Sequence, residues 1–184
     1  MQISLATIPK AVEVRSGLPR VDWLTIGDWV DDRVPENELN DVMTQLAREW
    51  IDLLIESLPP GYTRTESDEF LLLSRDESPS PESVLDWCEF ARQTILAQLG
   101  DVASVEGYGK HLVMAFADRS TYYDYICDWY PEEGEFGLTG GMFVDCGYGH
   151  ILMCMANIRE FERTIAHELT HTVLRHLPLP LWLD

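Results

Sequence analysis

Residues 163–184 have the sequence RTIAHELTHTVLRHLPLPLWLD, which carries the most informative pattern in the chain. Ile165 and Leu169 repeat an apolar side chain at helical spacing, so the stretch predicts an amphipathic helix. His167 and His171 are also four positions apart. Positions with that spacing lie on the same face of a helix, so two imidazoles can point at one ion. The pattern predicts a metal-binding helix.

Glu168 follows the first of these histidines and has a different expected role. A helix turns by about 100° per residue, which leaves Glu168 within reach of a metal-bound water without placing it as a ligand. Zinc lowers the pKa of its bound water to about 7 and polarises a carbonyl, while a nearby carboxylate passes the water's proton to the leaving amine. We interpret His167 and His171 as candidate zinc ligands and Glu168 as a candidate general base. The alternative is an ordinary structural helix.

The preceding residues 149–155, GHILMCM, add to this pattern. Together with the histidine helix they resemble the gluzincin branch of zinc metallopeptidases, in particular its small bacterial members. The resemblance covers residues 140–184 and implies a zincin-like fold, zinc as the cofactor and a peptide or protein substrate. It also implies an edge strand with which an extended substrate pairs through main-chain hydrogen bonds. The residues of that expected edge strand are His150, Ile151, Leu152, Met153 and Cys154.

The third zinc ligand is the point at which the chain departs from this family. The family places a glutamate just after a W-L-x sequence, and here that position would follow Asp184, the last residue. Catalytic zinc sites normally use three protein ligands, so Asp184, the nearest carboxylate, is a candidate ligand. His176 is about 140° further round the helix than His171 and is expected to face away.

The tail LPLPLWLD, residues 177–184, is apolar and carries Trp182. Burying such side chains is worth roughly 1.5 to 3 kcal/mol each, so a free end of this composition is costly in water. We expect either that a C-terminal helical part is missing or that the tail docks on the domain or on a protein partner. Two functions follow: a zinc-dependent metallopeptidase, or a non-catalytic zincin-fold binding or regulatory protein with an incomplete metal site.

Composition limits the partners. The chain has 184 residues, a net charge of -19 and a sequence pI near 4.4, which disfavours binding to nucleic acid or to anionic membranes. No basic and apolar leader and no membrane-spanning apolar run are visible in the sequence, so the expected location is cytoplasmic. The four cysteines form no C-x-x-C pair and are expected to be free thiols.

The remaining pattern predicts one α/β (α+β) domain with a mixed sheet. Residues 1–34 are expected to be an irregular lead-in with one strand, and residues 35–184 a single zincin-like domain. His150 lies beside a predicted hairpin turn and is expected to be at the surface. Helices are predicted over 35–58, 81–99, 118–131 and 158–176, with hairpins over 62–74 and 141–155 and a strand over 110–117.

Overall fold

The computed structural model describes residues 3–77, 79–105, 107–130, 139–155 and 161–177. Its helices are α1 (Trp23–Asp31), α2 (Glu36–Ser57), α3 (Pro81–Leu99), α4 (Arg119–Trp129) and α5 (Phe161–Leu174). Its strands are β1 (Val12–Arg15), β2 (Leu18–Val21), β3 (Tyr62–Glu66), β4 (Phe70–Arg75), β5 (His111–Phe116), β6 (Gly141–Val144) and β7 (His150–Cys154).

The centre of the domain is a five-stranded mixed sheet with the order β3-β4-β5-β7-β6. The three middle strands are parallel to one another, whereas β3 and β6 pair antiparallel at the two ends. Parallel strands that are covered on both faces consist of nearly continuous apolar runs, and β4, β5 and β7 have this composition. The predicted mixed α/β class is therefore confirmed, while the finer zincin-like assignment stays a prediction.

Alternating side chains of the sheet pack into two separate apolar layers. Leu71 and Leu73 of β4 point to the side that holds α1, α2 and α4. Phe70 and Leu72 point to the side that holds α3 and α5. Because successive side chains of a strand point to opposite faces, each central strand contributes to both cores. The architecture is thus three layers, with the histidine helix on the α3 side.

The helix boundaries follow from capping chemistry that the sequence shows. Ser80 accepts a hydrogen bond from the backbone N–H of Ser83, and Gly100 ends α3 with a positive φ of 52°. Asp118 caps α4 by accepting from the N–H of Thr121. The side chains of Ser80 and Asp118 satisfy amide groups that have no partner within the helix, in agreement with the helices predicted over 81–99 and 118–131.

The predicted irregular lead-in over residues 1–34 is wrong, but the one strand expected there is present as β1. They contain the β1–β2 hairpin and α1, and Trp23 and Ile26 are buried in the same core as α2. The indole N–H of Trp50 on α2 donates to the carbonyl of Pro19 at 3.1 Å. The short apolar pieces become regular because α2 offers them a surface on which to be buried, which local sequence does not reveal.

The predicted helix that carries the histidine motif is present as α5. It is described from Phe161, and the predicted start at 158 lies outside the described residues. It ends at Leu174, close to the expected end at 176. None of the helices in the described part of the chain has the length and apolar character needed to cross a membrane.

Candidate metal centre

Helix α5 carries the motif, and its packing fixes which side chains face outward. Its apolar residues Ile165, Leu169 and Val173 are buried, and the helix contacts α3, β6 and β7. His167 is exposed and His171 is half-buried. The predicted apolar stripe is therefore confirmed, and the two imidazoles lie away from it.

The two histidines lie side by side as the helical spacing requires. Their Nε2 atoms are 3.1 Å apart, and the ring centroids are 4.7 Å apart with an interplanar angle of 81°. Two nitrogens bound to one tetrahedral zinc ion at 2.0–2.1 Å are separated by about 3.3 Å. An N–H···N hydrogen bond between the two rings also accounts for the observed 3.1 Å separation. The donor type and the separation of the pair fit a shared zinc ion.

Glu168 is buried, with only 7% of its surface exposed, on the side of α5 that faces the sheet. Gly141 at the start of β6 allows α5 to lie close to this strand. A Cβ atom at that glycine would lie 2.3 Å from Thr164 Cγ2 and 3.4 Å from Glu168 Oε1. Any other residue at position 141 would require the Thr164 side chain to move. The carboxylate of the motif therefore lies directly against strand β6.

A third metal ligand does not join the two histidines within the described residues. Among the described residues, no group of three or more His, Cys, Asp or Glu side chains is arranged to hold a metal ion. Asp184 and the tail residues 178–184 lie outside the described residues. His176 is exposed and follows the end of α5. Within the described part of the chain, the candidate centre consists of His167 and His171.

The prediction that residues 150–154 form the edge strand is wrong. They form β7, which pairs with β5 on one side and with β6 on the other. Residues from Ile151 to Cys154 are all buried, because both neighbouring strands and both helical layers cover them. The strand at this end of the sheet is β6, which has four residues. The sequence pattern predicts both strands of the hairpin but does not show which of them lies at the edge.

The expected surface position of His150 is also wrong, since its side chain is 0% exposed. Its ring lies 5.1 Å from that of Trp50 and 5.2 Å from that of Trp129. His150 Nδ1 is 3.1 Å from the carbonyl oxygen of Tyr148, and Nε2 is 3.1 Å from the Tyr125 hydroxyl. A carbonyl only accepts, so Nδ1 carries the proton and Nε2 accepts from Tyr125.

Burial determines the charge state of this histidine. Desolvation lowers the pKa of His150 from 6.5 to about 4, although its hydrogen bond to Tyr148 acts in the opposite direction. His111 has a similarly lowered pKa of about 4, because of burial and the charge of Arg92. Arg92 Nε donates to His111 Nε2 at 3.0 Å, so this imidazole is held neutral as an acceptor. Neither histidine is available to the metal centre in this arrangement.

Sequence reasoning missed Gly141 and strand β6 as parts of the candidate site. The signal was the pair Gly140-Gly141 immediately before an apolar run, since a glycine at the start of a strand often marks close approach of another backbone.

The four cysteines are free thiols as predicted, and Cys88 and Cys154 are buried.

Comparisons with known proteins give no family for this fold and site. No protein-family model matches the chain, and neither the curated proteins nor the solved structures contain a significant match.

Proposed function

We propose that this chain is a zinc-dependent metallopeptidase domain of gluzincin type, which acts on peptide or protein substrates in the cytoplasm. The observation that supports this most directly is the pair of Nε2 atoms 3.1 Å apart on one helix, with Glu168 between them in sequence. The proposal includes a zincin-like fold, supported by a mixed sheet whose end strand lies against the histidine helix.

In this proposal His167 and His171 hold the zinc ion, and a further ligand completes the set. Asp184 remains the candidate for that ligand. Bound zinc supplies a Lewis acid for the scissile carbonyl and lowers the pKa of a water molecule to about 7. The role of Glu168 is to take up a proton and return it to the leaving amine. Its burial against β6 restricts the carboxylate to few orientations, which suits a positioned base.

The substrate strand in this proposal is β6 and not β7. β6 lies at the end of the sheet, and no other described strand pairs with its outer side. An extended peptide that adds to such an edge gains main-chain hydrogen bonds without requiring a particular sequence. Because Gly141 brings β6 against Glu168, a peptide on this edge would pass close to the proposed base.

The test combines zinc content with hydrolysis. We expect about one zinc per chain, lost when both motif histidines are replaced by alanine. We expect Glu168→Gln to keep zinc and to lower the hydrolysis of a denatured protein substrate by about 10²- to 10⁴-fold. The matched control is Glu162→Gln, which makes the same change at an exposed position of α5.

Each outcome has a clear meaning. A folded chain that binds no zinc contradicts the proposal. Zinc binding with hydrolysis unchanged by Glu168→Gln contradicts the role of that carboxylate. Zinc binding without hydrolysis favours the non-catalytic alternative, a regulatory or binding protein with an acidic surface and an apolar docking tail.

A further inference from the structure

A cavity of about 470 Å³ lies on the described part of the chain, at the amino ends of β5 and β7. Gly27 of α1 lines one side, and Lys110, Gly149 and Arg175 line the side formed by the sheet and the end of α5. Among the described residues that line it, none belongs to the trio His167, Glu168 and His171. Its volume is in the range of about 300–1,000 Å³ that is typical of small-molecule sites.

Gly27 is unexpected in the middle of α1. A glycine in a helix interior destabilises it by roughly 0.5–1 kcal/mol relative to alanine. Such a glycine usually allows close packing, but a Cβ atom at position 27 would meet no atom of another part of the fold within 4 Å. The open space in front of it is the cavity itself. A side chain at position 27 would therefore extend into the cavity.

The mouth of the cavity is unusually apolar for this surface. Leu24 is 76% exposed, Val105 is 61% exposed and Tyr108 is 44% exposed, and all three line the cavity. They are three of the six large hydrophobic side chains that are exposed in the described part of the chain. Deeper walls come from Trp23 and Tyr148, whose ring centroids are 4.7 Å apart. A ligand with an apolar body would cover the exposed rim and contact these rings.

The lining of the cavity is less acidic than the chain as a whole. Its three cations are Arg92, Lys110 and Arg175 and its three carboxylates are Asp28, Asp31 and Glu69, whereas the whole chain has 13 lysines and arginines against 32 acidic residues. Arg92 forms an ion pair with Glu69 at 3.3 Å, and Lys110 Nζ donates to the carbonyl of Ser67 at 2.6 Å.

Arg175 is held less firmly than these two cations. Its contact with Asp145 is a loose ion pair of 3.7 Å, and 44% of its side chain is exposed. A guanidinium in this state can still form a close, bidentate contact with an anion. Arg175 is therefore the cation on which a bound anionic group would depend most.

We propose that this cavity binds a small amphipathic anion, a molecule with an aromatic or aliphatic body and one carboxylate or sulfonate group. The body lies between Leu24, Tyr108 and the rings of the deeper wall, over the space left by Gly27. The anionic group contacts Arg175. This site goes beyond the proposed peptidase function and does not require zinc at the histidine pair.

The test uses two fluorescent probes with the full chain. Anilinonaphthalene sulfonate carries an aromatic body and one anionic group, and phenylnaphthylamine has the same rings without the charge. We expect saturable binding of both, with one site per chain. Gly27→Leu should weaken both probes by about tenfold or more, because the new side chain occupies the cavity. Arg175→Gln should weaken the anionic probe by about fivefold and leave the neutral probe within about twofold.

Matched controls separate the cavity from general surface effects. Glu56→Leu adds the same side chain at an exposed position of α2, and Arg163→Gln removes the same charge at an exposed position of α5. Neither residue lines the cavity, so both variants should bind both probes as the wild type does. Circular dichroism confirms folding, and Arg175→Gln still tests the proposal if Gly27→Leu does not fold. The proposal is overturned by non-saturable binding in the wild type, by a folded Gly27→Leu that binds normally, or by equal effects of Arg175→Gln on the two probes.

Discussion

His150 and the pair His167–His171 show two opposite uses of the same side chain in one domain. Both nitrogens of His150 are satisfied by protein groups, the Tyr148 carbonyl and the Tyr125 hydroxyl, and the ring is fully buried. The Nε2 atoms of the pair lie 3.1 Å apart, His167 is exposed and His171 is half-buried. A fully buried histidine with two protein partners contributes to stability, whereas two imidazole nitrogens 3.1 Å apart at a more exposed position are suited to bind one ion.

The largest expected effect separates these two uses by stability. His150→Ala removes a buried ring and leaves the Tyr125 hydroxyl without its acceptor, so we expect a loss of about 3 to 5 kcal/mol in the free energy of unfolding. His167→Ala removes an exposed ring and should change that free energy by less than about 0.5 kcal/mol. Urea unfolding of both variants measures the difference. Equal losses would show that the contrast between the two sites is wrong.

The next effect concerns pH. His150 has a pKa of about 4 in the fold and 6.5 as an ordinary side chain, so the unfolded chain binds more protons between these values. Its contribution to stability is complete above pH 6.5 and is lost as the pH falls toward 4, up to roughly 3 kcal/mol. Urea unfolding across this range should therefore give a steeper pH dependence for the wild type than for His150→Gln. The same slope in both proteins would rule out His150 as its source.

The smallest expected effect belongs to the pair. Zinc that binds only the folded chain should raise the free energy of unfolding by about 1 kcal/mol when its concentration is a few times its Kd. His171→Ala should abolish this increase. His176→Ala removes an exposed histidine just beyond α5 and should leave the increase unchanged. Thermal unfolding with and without zinc measures the shift, and an increase that survives in His171→Ala would place the zinc elsewhere.

Local chemistry made much of the fold predictable. Ser80 and Asp118 accept hydrogen bonds from amides of the first helical turn, and the N–H of Gly100 donates to the carbonyl of Leu96 in the last turn, so the bounds of α3 and the start of α4 could be predicted from neighbouring residues. The facing of His167 and His171 has the same origin, since a separation of four residues along a helix fixes their relative position. The part of the candidate metal centre that lies on one helix could therefore be predicted from the sequence.

Features that depend on segments far apart in the chain could not be predicted from the sequence. Whether residues 150–154 lie at an edge depends on which strand pairs outside them, and β6 takes that place. His150 is buried because Trp50, Tyr125 and Trp129 come from two other elements and meet around it.

Local sequence was enough to predict the histidine helix, its apolar stripe and the alternation of helices and strands, because these result from contacts within a few residues. Only the fold brought Glu168 against Gly141 and opened the cavity in front of Gly27. Those features arise where segments that are far apart in the chain pack together, and burial at such contacts depends on the partner surface as much as on the residue itself.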